Sequence, residues 1–224
     1  MKLYLGGRSE GWVVGNKFKI DQKVLDFIDF AKTLRNNKYE ASLDQWSPGW
    51  SDAIAEDEKA FIWLCPTWGI PWIIGSYDKR AVDGGEWGLA KPPFPFFWGG
   101  SWLSIYSKSK NQDLAWEFIK FITTDKDVMR KWASQNRDLP NNLQLLSEGT
   151  QQNNKIIGTD IFKFYEPFVK DINGKLRTSK DYTIELYYNR CLRSYLDGEI
   201  KTEEEMLRKF KDEVKNSVKD ISVD

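Results

Sequence analysis

Histidine is absent from this chain of 224 residues. That excludes a Ser-His-Asp or Cys-His relay and every zinc site that needs an imidazole ligand. Cysteine is almost as scarce. Cys65 and Cys191 lie far apart and match no metal or redox spacing. Each reads as a small core hydrophobe, with a disulfide between them as the minor alternative. There is no Walker-type glycine loop and no GxGxxG, so nucleotide binding lacks support and no cofactor is expected. No apolar run approaches the length that crosses a bilayer. The opening MKLYLGGRSEGW is too short and too polar in its apolar part to serve as a cleavable signal. A surplus of one charge is missing too: 33 basic and 33 acidic residues balance, which offers nucleic acid no basic surface. What remains is a polar chain, long enough for one large domain or two small ones, without the usual catalytic groups.

Indole is what the sequence has instead. Of the 11 tryptophans, all but Trp12, Trp116 and Trp132 lie between Trp46 and Trp102. That stretch is threaded with Gly and Pro and closes on FFWGGSW, residues 96–102. A buried indole N–H must find an acceptor, so turn-rich segments rarely hold many indoles for packing alone. Flat aromatic faces with polar rims suit a sugar ring, whose C–H patches stack while its hydroxyls hydrogen-bond. Trp46 and Trp50 flank a Ser-Pro-Gly turn, where exposed indoles point to a binding rim. Trp12, Trp63, Trp87, Trp116 and Trp132 read as packing or surface, and Trp72 as a weaker candidate. Asp44, Asp52, Asp83 and Glu86 are potential acceptors for hydroxyls, with a solvated loop as the simpler role for each.

Along the chain, LYLGGRSEGWVVGNKFKI reads as short strands punctuated by Gly and Asn. Asp21 is placed to cap a helix whose apolar face carries Val24, Phe27, Ile28 and Ala31. A short acidic helix is expected over Asp52 to Lys59. The apolar run AFIWLC (60–65) has the pattern of a strand buried on both faces. Trp68 follows just past its carboxyl end, the rim where open α/β sheets bind ligands. WGLAKPPFPFF reads as a strand entering a stiff Pro-rich crossing. SWLSIYS (101–107) alternates with period two and reads as another strand. Helices are expected from near Asn111, with Leu114, Phe118 and Phe121 on one side, and from a cap at Thr124 or Asp125. Two long helices close the chain; Asp197-Gly198 ends the first and Thr202-Glu-Glu-Glu205 opens the second with a capping box.

Four stretches, in this order, resemble the family 1 extracellular solute-binding proteins of ABC sugar importers, the group that includes maltose-binding proteins. They are IDQKVLDFIDFAKTLRNNKY, EDEKAFIWLCPTW, GGSWLSIYSKSKNQDLAWEFIKFITTDKDVMRKWA and YLDGEIKTEEEMLRKFKDEVKN. The resemblance implies an α/β fold, a periplasmic-binding-protein type II lobe, with this chain as the carboxyl-terminal part. It maps 1–95 to a second-lobe α/β segment, 96–141 to a crossing strand and helices of the first lobe, and 142–224 to the helical completion of the second. On that mapping the strand–helix piece must expose apolar surface, pack on its own lobe or pair with another chain. The resemblance places Trp68 on the second-lobe wall of the ligand cleft. It places Trp98, Gly99, Gly100 and Trp102 at the crossing, near sugar. Tyr182 lies in a region the family sometimes turns toward the cleft, whereas Tyr187 is expected to pack.

The function so implied is capture of a carbohydrate between two lobes and its delivery to membrane permease subunits. The location would be the extracellular face of the membrane or the periplasm, with a signal or lipoprotein leader lying outside this stretch. The alternatives are a glycoside-active enzyme, which needs two opposed carboxylates, and an interaction domain that binds no small ligand.

Overall fold

Short polar side chains set most helix starts. Asp21 accepts the Lys23 amide at 2.9 Å and opens α2 (Gln22–Asn36), which follows a single turn of helix, α1 (Lys2–Gly6). Ser47 takes the Trp50 amide at 3.2 Å, and Pro48 occupies the first position of α3 (Pro48–Ala55), where a missing N–H is harmless. After α4 (Gly75–Tyr77) come α5 (Gln112–Thr124) and α6 (Lys126–Asn136), the latter capped by Asp125. Asn142 caps α7 (Leu143–Glu148), and Asp160 caps α8 (Ile161–Val169). The last two are α9 (Asp181–Leu196) and α10 (Glu203–Ser217). Gly198, at φ +78, returns its N–H to Tyr195 just past α9. Thr202 accepts the Glu205 amide at 3.1 Å as the capping box requires, but Glu205 reaches the amide of Lys201, one residue before the cap.

This computed structural model describes residues 1–55, 60–81, 87–149 and 154–224. The chain divides into two compact units. Unit 1 comprises 1–42, 92–97 and 172–224; unit 2 comprises 43–91 and 98–171.

The core of unit 1 is built on Trp12, which has no exposed surface. Its ring lies parallel to Phe18 at 6.1 Å and meets Tyr188 and Phe210 at 5.5 and 5.6 Å. Trp12 precedes a hairpin, β1 (Val13–Val14) and β2 (Lys17–Phe18), turned at Gly15 with φ +62. The carboxyl-terminal segment joins that hairpin through a bridge between Lys17 and Ser222. Where the 92–97 segment meets α1, a Cβ on Gly6 would fall 2.3 Å from the Pro95 carbonyl oxygen, so only glycine fits. Unit 2 centres on Ile70, Ile74, Leu146, Ile156, Ile161 and Phe162.

The structure corrects several expectations. Residues 2–6 form a helical turn rather than a strand. AFIWLC has no regular secondary structure, and Phe61 is 98 % exposed, so it is neither a strand nor buried. SWLSIYS and 87–97 also form no strand. The reason is common to all three: a strand is stabilised by ladder partners distant in sequence, and among the described residues only β1 and β2 form a sheet. The helix expected over Asp52 to Lys59 begins earlier, at Pro48, because Ser47 caps it; residues 56–59 lie outside the described residues. The cysteines are both free. Cys191 is buried as a core hydrophobe should be, whereas Cys65 is only half-buried.

α5 is amphipathic by sequence yet buries none of its residues. Leu114, Phe118 and Phe121, spaced to share one face, are all more than half exposed.

Candidate functional site

Unit 2 holds a cavity of about 190 Å³ lined by Gln45, Trp50, Trp63, Leu64, Cys65, Pro66, Ile73, Ile74 and Trp98. That is smaller than most small-molecule sites, which run roughly 300–1,000 Å³. Local backbone features build its walls. Trp50 projects from the first turn of α3, which Ser47 anchors. The segment 60–66, which has no regular secondary structure, supplies Trp63 through Pro66. The floor is a π-helical turn, Ile70–Ile74, with Pro71 near its start and its end closed by the Gly75 amide on the Ile70 carbonyl. A wide turn of this kind often marks a functional site. Its entry is tight: a Cβ on Gly69 would lie 2.7 Å from the Cys65 Cβ, so glycine lets the turn pack against that wall.

The aromatic rings form a connected group. Trp50 is its hub, meeting Trp46 at 5.1 Å, Trp63 edge-on at 5.4 Å and Tyr77 edge-on at 6.2 Å. Trp46 in turn lies parallel to Trp68, with 8° between the planes and 6.5 Å between centroids. Edge-to-face and offset parallel contacts of this kind are favourable beyond their buried area.

Among the described residues the lining carries no charge. Its one ionisable side chain is Cys65, whose thiol burial pushes up to about 11, so it is neutral at pH 7. The polar atoms offered are few: the Gln45 amide, the thiol and the indole N–H groups. Trp63 Nε1 is buried without a protein acceptor. An unpaired buried donor is costly, on the order of 1–3 kcal/mol, and an acceptor oxygen on a ligand would relieve it. Asp138 is also buried in unit 2; burial raises its carboxyl above the usual range despite the Leu139 amide donating to it at 2.7 Å. It does not line the cavity.

Of the residues singled out in the sequence, the structure brings Trp46, Trp50, Trp68 and Trp98 to this part of unit 2. Trp98 and Trp50 line the cavity; Trp46 and Trp68 form a pair beside it. Trp102 is 76 % exposed and is not among the lining groups. Gly99, at φ +154, takes a conformation suited to glycine, and Gly100 has open space where a Cβ would stand. Asp44 and Asp52 are not in the lining, and Asp83 and Glu86 lie outside the described residues. Trp72 is largely exposed. Tyr182 and Tyr187 belong to unit 1; Tyr187 packs under the Arg190 guanidinium at 4.9 Å, while Tyr182 is exposed. Trp87, expected to pack, donates its N–H to the buried Asp78 at 3.0 Å. Trp63 and Cys65 belong to the lining although their segment reads as a buried strand; the aromatic at the centre of AFIWLC was the only available signal.

The model of a family described as bacterial extracellular solute-binding protein matches residues 8–159, more than half of the chain. A crystal structure of an extracellular solute-binding protein of family 1 superposes with a TM-score of 0.73 at 17% sequence identity. The match covers 95% of this chain and 57% of that one, so the chain spans little more than half the length of the protein it resembles. At such identity the likeness is one of fold, and it is the α/β solute-binding fold expected from the sequence. A comparison with curated proteins gave no match.

Proposed function

We propose, from the premise that this chain belongs to the bacterial extracellular solute-binding proteins, that it forms part of a carbohydrate receptor of an ABC importer. The observation that carries this is the indole-lined cavity around Trp50, Trp63 and Trp98, uncharged among the described residues. A site for an amino acid, a phosphate or a polyamine needs a counter-charge, because a buried ion without one is strongly disfavoured. A neutral ligand with apolar faces and many oxygens meets no such penalty. It stacks on indole and accepts from the unpaired Trp63 N–H.

In this role the chain does no chemistry. It retains a sugar at the extracellular face or in the periplasm and presents it to permease subunits, which respond to the ligand-favoured conformation. Glycoside hydrolysis is the less favoured alternative, because it requires two carboxyl groups at the bond that breaks. Among the described residues the cavity lining contains none.

Trp50→Ala is the direct test. Removing the hub ring is expected to weaken sugar binding by about 1–3 kcal/mol, as for other buried aromatic anchors. Calorimetric titration that finds the same affinity in both proteins would remove this cavity from the binding site.

The domain assignment belongs to the same proposal: 96–141 joins the first lobe, and polypeptide supplying the rest of that lobe covers the apolar face of α5. Its support is the bare stripe of Leu114, Phe118 and Phe121, together with the 57% coverage of the matched fold. Replacing Leu114 and Phe118 with Lys in this chain is then expected to leave the thermal midpoint unchanged and to reduce self-association in light scattering. A marked drop in the midpoint would mean that the stripe packs within the chain.

A further inference from the structure

Trp46 differs from the other indoles at the cavity in its backbone. Its φ is +71, in the left-handed region that a bulky L-residue enters only under strain. Residues held in this way gather at ligand clamps, where the surrounding structure imposes the conformation. Burial does not explain the position, because Trp46 is 57 % exposed. Nor does the turn require an indole. The Ser47 amide closes it on the Asp44 carbonyl at 3.0 Å, and glycine or asparagine would satisfy the same φ with less strain. What the strained backbone achieves is the placement of one ring, parallel to Trp68 and 5.1 Å from Trp50. Trp50 lines the cavity; Trp46 and Trp68 do not. The aromatic surface therefore continues out of the cavity past Trp50 onto a largely exposed indole.

We propose that Trp46 is an outer stacking platform, and that the ligand is a saccharide of at least two rings. One ring occupies the cavity against Trp50, Trp63 and Trp98, and the next lies on Trp46. This rests on the carbohydrate proposal above and adds ligand length to it. A monosaccharide fills the inner position and leaves Trp46 without a role.

The test compares the unmodified chain with Trp46→Gly, Trp46→Asn and Trp46→Phe. The probes are mono-, di- and trisaccharides of β-1,4-glucose, α-1,4-glucose and β-1,4-xylose, titrated by calorimetry to high concentration. Glycine and asparagine remove the ring while suiting the left-handed backbone. Both are expected to weaken the di- and trisaccharide roughly tenfold, as loss of one aromatic anchor does. The monosaccharide should be unaffected, and Trp46→Phe should retain most of the length preference. A thermal midpoint in Trp46→Gly that is unchanged or raised accompanies this result, since strain is relieved. Equal weakening at every length, no weakening at any, or a lowered midpoint in both Trp46→Gly and Trp46→Asn makes Trp46 a packing residue and overturns the outer platform. If the unmodified chain binds no member of any series, the carbohydrate proposal itself falls and the platform with it.

Discussion

Trp12→Ala is expected to destabilise unit 1 by about 3–5 kcal/mol, the usual range for deleting a buried aromatic without refilling its space. The indole has no exposed surface and touches three other rings from three parts of the chain: Phe18 of the hairpin, Tyr188 of α9 and Phe210 of α10. The Arg8 guanidinium also lies 5.0 Å from the ring centroid. Collapse around the void is hindered because these neighbours are themselves anchored; the Tyr188 hydroxyl, for example, donates to the Val24 carbonyl at 3.1 Å. Trp12→Phe should lose much less, since the indole Nε1 has no acceptor to forfeit. Urea titration followed by hydrogen exchange in α9 and α10 measures both. A loss below about 1 kcal/mol for the alanine variant would mean that the unit repacks freely, contrary to a close-packed core.

Asp181→Ala is expected to cost a similar amount, about 3–5 kcal/mol, for an electrostatic reason. Asp181 and Arg8 both have side chains 1 % exposed, with 4.0 Å between Oδ2 and Nη2. Burial lowers the Arg8 pKa, and Asp181 and Glu185 oppose that effect. Without Asp181, the buried guanidinium keeps a hydrogen bond to the Leu5 carbonyl but loses its nearest counter-charge. Arg177, which faces both Asp181 and Glu185, is left with one acid, and Lys2 continues to share Glu185. The same carboxylate also closes the start of α9 by accepting the Thr178 amide and hydroxyl at 2.9 and 2.6 Å. Asp181→Asn separates the two contributions, because the amide oxygen still accepts from Thr178 while the charge is gone. Equal midpoints for the two variants in urea would assign the loss to charge alone. A midpoint near that of the unmodified chain for both would show that the pair is dispensable. Trp12 and Asp181 meet through Arg8, so the double variant should deviate from additivity.

The helix boundaries were legible because the interactions that fix them are local. Asp21, Asp125 and Thr202 each cap an amide two or three residues ahead, a distance that the order of residues alone specifies. The glycine after α9 is likewise local. The strands were legible only where pairing is local, as in the hairpin of β1 and β2 around Gly15. AFIWLC and SWLSIYS carry apolar runs or alternation suited to a sheet, but such patterns describe a face and not the neighbour that must pair with it. Among the described residues neither segment has a neighbouring strand, and none of their side chains is fully buried.

The candidate site divides along the same line. The abundance of indole between Trp46 and Trp102, together with the absence of histidine, was enough to point from catalysis toward binding. The turn-borne pair Trp46 and Trp50 was also apparent from its Ser-Pro-Gly context. That Trp63 joins them while Trp102 stands apart could not be read in advance, because spacing along a segment without regular secondary structure does not fix which side chains meet. Thus the sequence by itself determined the capped helices such as α2, α6 and α10 and a surplus of flat aromatic surface, all set by residue type and short-range spacing. Only the tertiary structure decided which rings converge and which side chains line the cavity among them, because both depend on contacts between residues distant in the chain.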